Sequence, residues 1–292
     1  MFCAFLVRFQ PSPTIDIAEL TGFRMAAALL ALVHRYDPSL SALLHDGGAW
    51  PRGLKPYTVS AAGWAPSGSG PEINRQRVAE FRITILEGDL LGPVVSALTQ
   101  CAEAFRPGNR PAPVASLEMD QRRTRWAGWI TRGRLWDAAP DCESASLLVA
   151  SPTAFRATTA ACDSFVTQLE PSLLIGSMLP KWEAYVGIPL DKPVMRRLKS
   201  RVRTTAARCE QGMCVIRRQT FKGFTGVVDL LAPDRETGKV LNALVALAFY
   251  TGLGMKTADG MGQTLPLPAG AAAMILNDGA QVSAQELRER MS

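Results

Sequence analysis

The sequence contains a dense glycine-rich segment with the composition of a loop that holds a phosphate backbone. It runs GLGMKTADGMGQ over residues 252–263, directly after an apolar stretch that predicts a helix. Glycines let a ligand's backbone come close, and amides left free in such a loop can donate hydrogen bonds to phosphate oxygens. The residues predicted to contact such a ligand here are Gly252, Gly254, Lys256, Thr257, Gly260 and Gly262.

This segment differs from the known nucleotide-binding fingerprints in the order of its elements. Glycine loops of the P-loop and dinucleotide types follow a strand and open a helix, whereas here the helix comes first. The alternative to a ligand-binding loop is a flexible turn between helix and strand whose glycines adopt positive φ angles.

A run of positive charge is the second chemical signal. Residues 192–222 hold ten Lys or Arg and one acid, Glu210. Basic side chains bind phosphates, and so one-sided a charge favours an RNA interface over an ordinary solvated face. The members predicted to bind RNA are Arg196, Arg197, Arg201, Arg203, Arg217, Arg218 and Lys222.

A second basic stretch, residues 121–136, interleaves arginines with Trp126, Trp129 and Trp136. Aromatic rings can stack on unpaired bases. Tryptophans at a domain junction are usually packed, however, and we expect these three to lie in the core.

Composition excludes several classes of protein. The chain has 47% hydrophobic and 20% charged residues and a net charge of +6, which indicates a folded protein and favours an anionic partner. Its six cysteines show no C-x-x-C spacing and it has two histidines, so we expect no metal, no cofactor and buried free thiols. The longest apolar runs are too short to span a bilayer, and no signal peptide is visible. A cytoplasmic protein without membrane contact is expected.

The hydrophobic pattern predicts the order βαββαβ in the first part of the chain. We expect strands over 2–9, 56–61, 79–86 and 114–119, and helices over 17–34 and 91–105. A short helical turn is expected over 40–45, and loops are expected over 47–53 and near 67–71.

The same order recurs in the second part. We expect a strand over 145–150, a helix within 162–185, strands over 213–221 and 224–231 that meet near Lys222 and Gly223, a helix over 239–250 and a strand over 263–267. A short exposed helix is expected over 283–291. The fold class is therefore α+β, with two tandem ferredoxin-like (RRM-like) domains over 1–125 and 140–292.

The glycine loop has the form G-x-G-x-K-T-x-x-G-x-G and lies between the last helix and last strand of a second ferredoxin-like unit. It resembles the loop of the CRISPR-associated pre-crRNA endoribonuclease family. Further segments match the family in its order: LHD at 44–46 with LKPYTVS at 54–60, FRITIL at 81–86, SPTAF at 151–155 and GFTGVV at 223–228.

The resemblance implies metal-free cleavage of CRISPR repeat RNA, in which a 2′-hydroxyl attacks the phosphate and leaves 2′,3′-cyclic phosphate and 5′-hydroxyl ends. By position, His45 matches the family's catalytic histidine and Lys55 its lysine. The family's tyrosine falls near Leu30, where this sequence departs from the pattern. His34 lies one helical turn later and could point the same way, although a histidine at a helix C-terminus also suits the helix dipole. Which histidine acts as acid or base stays open.

Two other functions fit the same features. A non-cleaving relative would hold crRNA within an effector complex, whose other subunits would then be partners, but the pair His34 and His45 favours cleavage. A different ferredoxin-like RNA protein, such as an RNA-modification factor, should lack the ordered set of five segments.

Overall fold

A computed structural model describes residues 1–64, 78–158 and 163–277 of the protein. The loop predicted near 67–71, the helix predicted over 283–291 and Cys162 lie outside the described residues. No helix within the described ranges is long and apolar enough to cross a membrane.

The first sheet is antiparallel throughout, and the helices that cover it lie between its strands along the chain. Its strands are β1 (Phe2–Phe9), β2 (Tyr57–Val59), β3 (Gly63–Trp64), β4 (Ala79–Ile85), β5 (Val114–Glu118) and β6 (Gly128–Ile130). The main path is β2-β4-β1-β5, with β3 paired to β4 and β6 paired to β1. The helices of this part are α1 (Gly22–Tyr36), α2 (Pro38–His45) and α3 (Gly88–Gln100).

Strand β1 is buried on both faces, which explains its unbroken apolar sequence. Phe5, Val7 and Phe9 pack against the helices of the first domain. Phe2, Ala4 and Leu6 belong instead to the core of the second domain. The sheet therefore lies between its own helices and the second half of the chain.

Helix α1 begins later than its apolar pattern predicts, because Thr21 caps it. The Thr21 side chain accepts a hydrogen bond from the amide of Arg24, and residues 17–19 form a separate 3-10 turn. At the other end, Asp37 stops α1 and caps α2, accepting from the amides of Ser39 and Leu40. The chain thus turns sharply between the two helices.

The second domain follows α4 (Arg132–Asp137). Its strands are β7 (Ser144–Thr153), β8 (Phe155–Thr158), β9 (Asp163–Val166), β10 (Arg203–Ile216), β11 (Gln219–Leu231) and β12 (Thr264–Leu267). Its helices are α5 (Pro171–Tyr185), α6 (Lys192–Arg201), α7 (Arg235–Thr251) and α8 (Ala271–Asn277). The main sheet runs β10-β11-β7-β12, and β8 and β9 form a separate hairpin.

The predicted fold class is confirmed, because the two main sheets share the same strand order. Numbering the four motif strands of each domain by sequence, both run 4-1-3-2 from edge to edge, as the ferredoxin-like motif requires. The division into 1–125 and 140–292 stays a prediction. Strand β6, which pairs with β1, extends the first sheet beyond residue 125.

The predicted position of the second-domain hairpin is wrong. The chain turns at Arg217 and Arg218, where Ile216 pairs with Gln219, and not at Lys222 and Gly223. Gly223 lies inside β11, and a Cβ there would stand 2.6 Å from the amide nitrogen of Thr153 on the neighbouring strand. This glycine permits close strand packing and marks no turn.

A buried polar seam joins the two domains. Arg82 on β4 donates from Nε to the Trp126 carbonyl (2.9 Å), from Nη1 to Gln263 Oε1 (2.9 Å) and from Nη2 to the Phe249 carbonyl (2.7 Å). Thr84, on the same strand, donates to the Tyr250 carbonyl at 2.7 Å. The first sheet is therefore fastened to the C-terminal end of α7, from which the glycine-rich segment continues.

Candidate functional site

The glycine loop (residues 252–263) is largely closed by its own hydrogen bonds. Leu253 donates to the Gly262 carbonyl (2.8 Å), Met255 to the Ala154 carbonyl (3.0 Å) and Gly262 to the Pro152 carbonyl (3.2 Å). Gly252, Gly260 and Gly262 are buried, and Gly254, Lys256 and Thr257 are half-buried. The amides of residues 256–258 and 260 make no hydrogen bond within the described part of the chain.

The loop glycines are required by packing against the protein itself. A Cβ on Gly260, which has φ 104°, would lie 2.6 Å from Gly22 Cα, and a Cβ on Gly22 would lie 2.3 Å from Gly260 Cα. The loop and the first residue of α1 are thus in backbone contact. The alternative from the sequence, a turn whose glycines adopt positive φ angles, describes this loop in part. The turn also forms a contact between the two domains.

Lys256 also has a left-handed backbone, with φ 54°. Its Nζ lies 5.0 Å from the centroid of the Phe221 ring, near the tip of the β10–β11 hairpin. At the same tip, the Arg217 guanidinium lies 5.7 Å from the centroid of the Phe23 ring on α1. The structure therefore brings the glycine loop, the hairpin tip and the start of α1 together.

The sequence run 192–222 is not one patch. Arg203 opens β10 and Arg217 follows its end, so the two lie about 45 Å apart along the strand. Among the predicted RNA contacts, the exposed residues are Arg196, Arg201 and Arg203 at one end and Arg217, Arg218 and Lys222 at the other. Only the second group adjoins the glycine loop.

Arg197 is engaged inside the protein. Its Nε lies 3.1 Å from an Asp234 carboxylate oxygen and 3.0 Å from Thr237 Oγ1, and its Nη2 pairs with Glu236. The charge of this arginine is offset by acids at the start of α7, which leaves it little positive potential for a ligand.

The two histidines lie at the ends of neighbouring helices. His34 is in the last turn of α1 and His45 in the last turn of α2, and both are exposed. Ser41 holds α2 against α1 by donating to the Leu30 carbonyl at 3.0 Å. His34 is about 18 Å along α1 from Gly22, where the glycine loop makes contact.

Lys55 is half-buried, and its backbone is fixed by the second domain. The Tyr185 hydroxyl on α5 lies 2.6 Å from the Leu54 carbonyl and 2.8 Å from the Lys55 carbonyl. Lys55 Nζ lies 5.8 Å from the centroid of the Tyr57 ring. Burial and the charge of Asp259, in the glycine loop, both raise the pKa of Tyr57, so this tyrosine stays neutral.

Lys181 on α5 was missed by the sequence analysis. It is 5% exposed, and its Nζ donates to the carbonyls of Thr251 (3.3 Å), Gly252 (2.7 Å) and Gly254 (3.4 Å). Burial lowers its pKa to about 7. The one signal in the sequence is a lysine among apolar neighbours in LIGSMLPKWEAY, which also suits a surface position.

The tryptophan and cysteine expectations hold in part. Trp126 is buried as expected, whereas Trp129 is 66% exposed on β6, so the expected core position of Trp129 is wrong.

Cys3 is buried, but Cys209 is exposed, which contradicts the expectation of buried thiols there. No group of three or more His, Cys, Asp or Glu in the described ranges is placed to hold a metal ion.

Two ferredoxin-like domains that meet at a glycine loop beside a basic hairpin define a tandem ferredoxin-like protein with a basic junction. Residues 147–264 match the family described as CRISPR-associated endoribonuclease Cas6. With that match in the second domain and the fold of Cas6 structures across both domains, the resemblance to the Cas6 family is confirmed.

Solved structures share the fold over almost the whole chain. Cas6 (TTHB231) of Thermus thermophilus is 24% identical, with TM-score 0.71 over 91% of this chain and 98% of that one. A product complex of Cas6 (TTHB231) gives TM-score 0.77, at 24% identity over 91% of this chain and 100% of that one. A protein of a Cas6-related gene from Pyrococcus furiosus gives 0.58 at 14% identity, over 91% and 99%. No curated protein sequence matches the chain significantly.

Proposed function

We propose that the protein is a metal-independent endoribonuclease that binds CRISPR repeat RNA and cuts pre-crRNA into crRNA units. The observation that carries the proposal is the placement of the chain's two histidines. Both are exposed at the ends of α1 and α2, in the segment that leads to Lys55. Lys55 in turn is tied by Tyr185 to the helix that holds the glycine loop.

The chemistry suited to these residues is attack by the substrate's own 2′-hydroxyl. That hydroxyl is bonded to the sugar next to the phosphate, so the reaction is intramolecular and needs mainly alignment. It forms a bond from the 2′-oxygen to phosphorus and breaks the bond to the 5′-oxygen. The products are a 2′,3′-cyclic phosphate and a 5′-hydroxyl.

Each step of that reaction has a candidate residue. His45 would move a proton to or from the reacting oxygens, with His34 as the candidate partner. Lys55 would offset the negative charge that builds on the phosphate oxygens. No tyrosine stands at the position of Leu30, so His34 is the candidate for the role of that tyrosine.

The proposed RNA path follows the charge that the fold brings together. Lys256 lies beside the Phe221 ring of the β10–β11 hairpin, whose tip carries Arg217, Arg218 and Lys222. Product complexes of Cas6 (TTHB231) and Cas6 (TTHA0078) and a substrate mimic complex of the latter support an RNA substrate. The exposed group of Arg196, Arg201 and Arg203 would contact the repeat farther from the cut.

The test is cleavage of a matched pair of repeat RNAs by the full chain. One RNA keeps the 2′-hydroxyl upstream of the cut, and the other has hydrogen there. We expect cutting of the first in excess EDTA and none of the second, with nearly equal affinities because phosphate contacts dominate binding. His45→Ala should stop cutting with affinity retained, and His34→Ala should show a smaller loss.

Three results would contradict the proposal. Cutting of the deoxy RNA or loss of cutting in EDTA would show that water and a metal do the work. Full activity of the His45→Ala variant would remove His45 from the mechanism. Tight binding of both RNAs with no cutting by the wild-type chain would favour the rival function, a crRNA-holding subunit with effector subunits as its partners.

A further inference from the structure

Helix α5 carries three polar side chains four residues apart, Ser177, Lys181 and Tyr185. Residues at this spacing lie on one face of a helix, one above the other. All three make hydrogen bonds to backbone outside α5, and Ser177 Oγ also donates to the Leu174 carbonyl within α5 at 2.9 Å. Ser177 Oγ accepts from the amide of Gly254 at 3.2 Å, Lys181 donates to the glycine loop and Tyr185 reaches the Lys55 segment.

The Lys181 contacts are those of a built site. Its three hydrogen bonds all go to backbone carbonyls where α7 ends and the glycine loop begins. When Lys181 is protonated, its three N–H donors match these three acceptors, and the C-terminal end of a helix favours its positive charge. A buried lysine that lost these acceptors would be left unsatisfied, so loop and lysine hold each other in place.

Tyr185 completes the connection one helical turn later, about 6 Å along the axis. Burial raises the pKa of Tyr185, so its hydroxyl stays protonated and can donate. Its acceptors are the carbonyls of Leu54 and Lys55. One face of α5 therefore touches the glycine loop at Lys181 and the Lys55 segment at Tyr185.

We infer that Lys181 and Tyr185 are positioning residues that fix the glycine loop relative to Lys55, so that bound RNA meets the reacting groups in register. This inference rests on the proposed function and goes beyond it, since neither residue is placed against the RNA. Its physical basis is the sensitivity of positioned reactions, in which a displacement of about 1 Å can cost about 100-fold in rate.

The experiment compares Lys181→Met with Lys239→Met in the full chain. Lys239 is half-buried on α7, outside the loop and the basic groups, and so controls for loss of a lysine charge. The first readout is amide hydrogen exchange over residues 252–263 and 54–57. The second is the single-turnover cleavage rate at saturating protein, at a temperature well below the unfolding midpoint of each variant.

For Lys181→Met we expect faster exchange in both segments and a rate lower by about 10- to 100-fold, with a smaller change in affinity. Lys239→Met should match the wild type. Tyr185→Phe removes one hydroxyl and gives the test a gentler variant should Lys181→Met fold poorly. Its amide exchange should be faster over 54–57. The cleavage rate of the double variant should fall by less than the product of the two single effects, because the two residues act as one unit.

Unchanged exchange in the 252–263 segment of the Lys181→Met variant would overturn the inference. So would faster exchange with a wild-type cleavage rate, which would make the contacts purely structural. A wild-type chain that cuts no repeat RNA would instead contradict the proposed function, and the positioning inference would fall with it. The exchange data would then report the mechanical link alone.

Discussion

The contact between Gly22 and Gly260 predicts that an alanine, usually favourable in a helix, will be harmful at the start of α1. Gly22 has an ordinary backbone conformation, so Gly22→Ala adds only a methyl group. That methyl carbon would lie 2.3 Å from Gly260 Cα, 2.6 Å from the Asp259 carbonyl oxygen and 2.8 Å from the Gly260 nitrogen. All three neighbours are backbone atoms, and relief requires the loop to move by about 1 Å.

Two effects of opposite sign decide the magnitude. Alanine in place of glycine favours a helix by at most about 1 kcal/mol. Overpacking against atoms that cannot rotate away costs about 1–3 kcal/mol. We expect the overlap to win, with a net loss of about 1–2 kcal/mol in the free energy of unfolding and a lower rate of RNA cleavage.

Gly176→Ala is the matched control, because Gly176 lies inside α5 with no atom within 4 Å of the added carbon. It should raise the free energy of unfolding by about 0.5–1 kcal/mol. Urea unfolding of the full chain, followed by tryptophan fluorescence, measures both. Equal stabilities of the two variants would refute the backbone contact between α1 and the glycine loop.

Two further predictions concern charge. Replacing Arg217 and Arg218 by alanine should weaken repeat binding and flatten the slope of log affinity against log salt by about 0.7–0.9 per lost phosphate contact. Arg197→Ala should leave that slope nearly unchanged. Filter binding at several salt concentrations measures both variants, and equal slopes for the two would contradict the different environments of these arginines. The native pKa of Lys181 is about 7 against its ordinary 10.5, so the unfolded chain holds a proton in this window that the native chain lacks. The free energy of unfolding should therefore rise with pH between about 7 and 10, by up to about 1.4 kcal/mol per pH unit, relative to Lys181→Met. Urea unfolding midpoints that change equally with pH in the wild type and in Lys181→Met would contradict this.

The sequence predicts those elements whose pattern depends on local packing. The apolar run of β1 gives the position of this strand because both of its faces are buried. The periodic stripe of α1 gives the position of this helix because one continuous face is buried. The repeat of βαββαβ also follows from local patterns. The error at the hairpin has a different source, since Gly223 serves contact with Thr153 on another strand and a glycine's local sequence does not distinguish a turn from a close approach.

Three predicted site residues come from one segment of the chain, and their catalytic roles stay predictions. His34, His45 and Lys55 follow one another in the chain and lie in linked elements. The roles of the glycines and of Lys181 depend on contacts between distant segments, which periodicity does not record. Residues 192–222 show the converse, since charges that are neighbours in sequence are drawn apart by the long strand β10. Helix α6 was overlooked because its basic residues mask the buried pair Val194 and Leu198, four residues apart.

The backbone contact between Gly22 and Gly260 also sets an order in time. Chains are synthesised from the N-terminus and domains generally fold as they emerge. The start of α1 therefore stays uncovered until the glycine loop has been synthesised. Contacts between segments so distant in the chain form slowly. A truncated chain that ends before residue 252 would thus lack the contact of Gly260 with Gly22 and would leave the start of α1 uncovered.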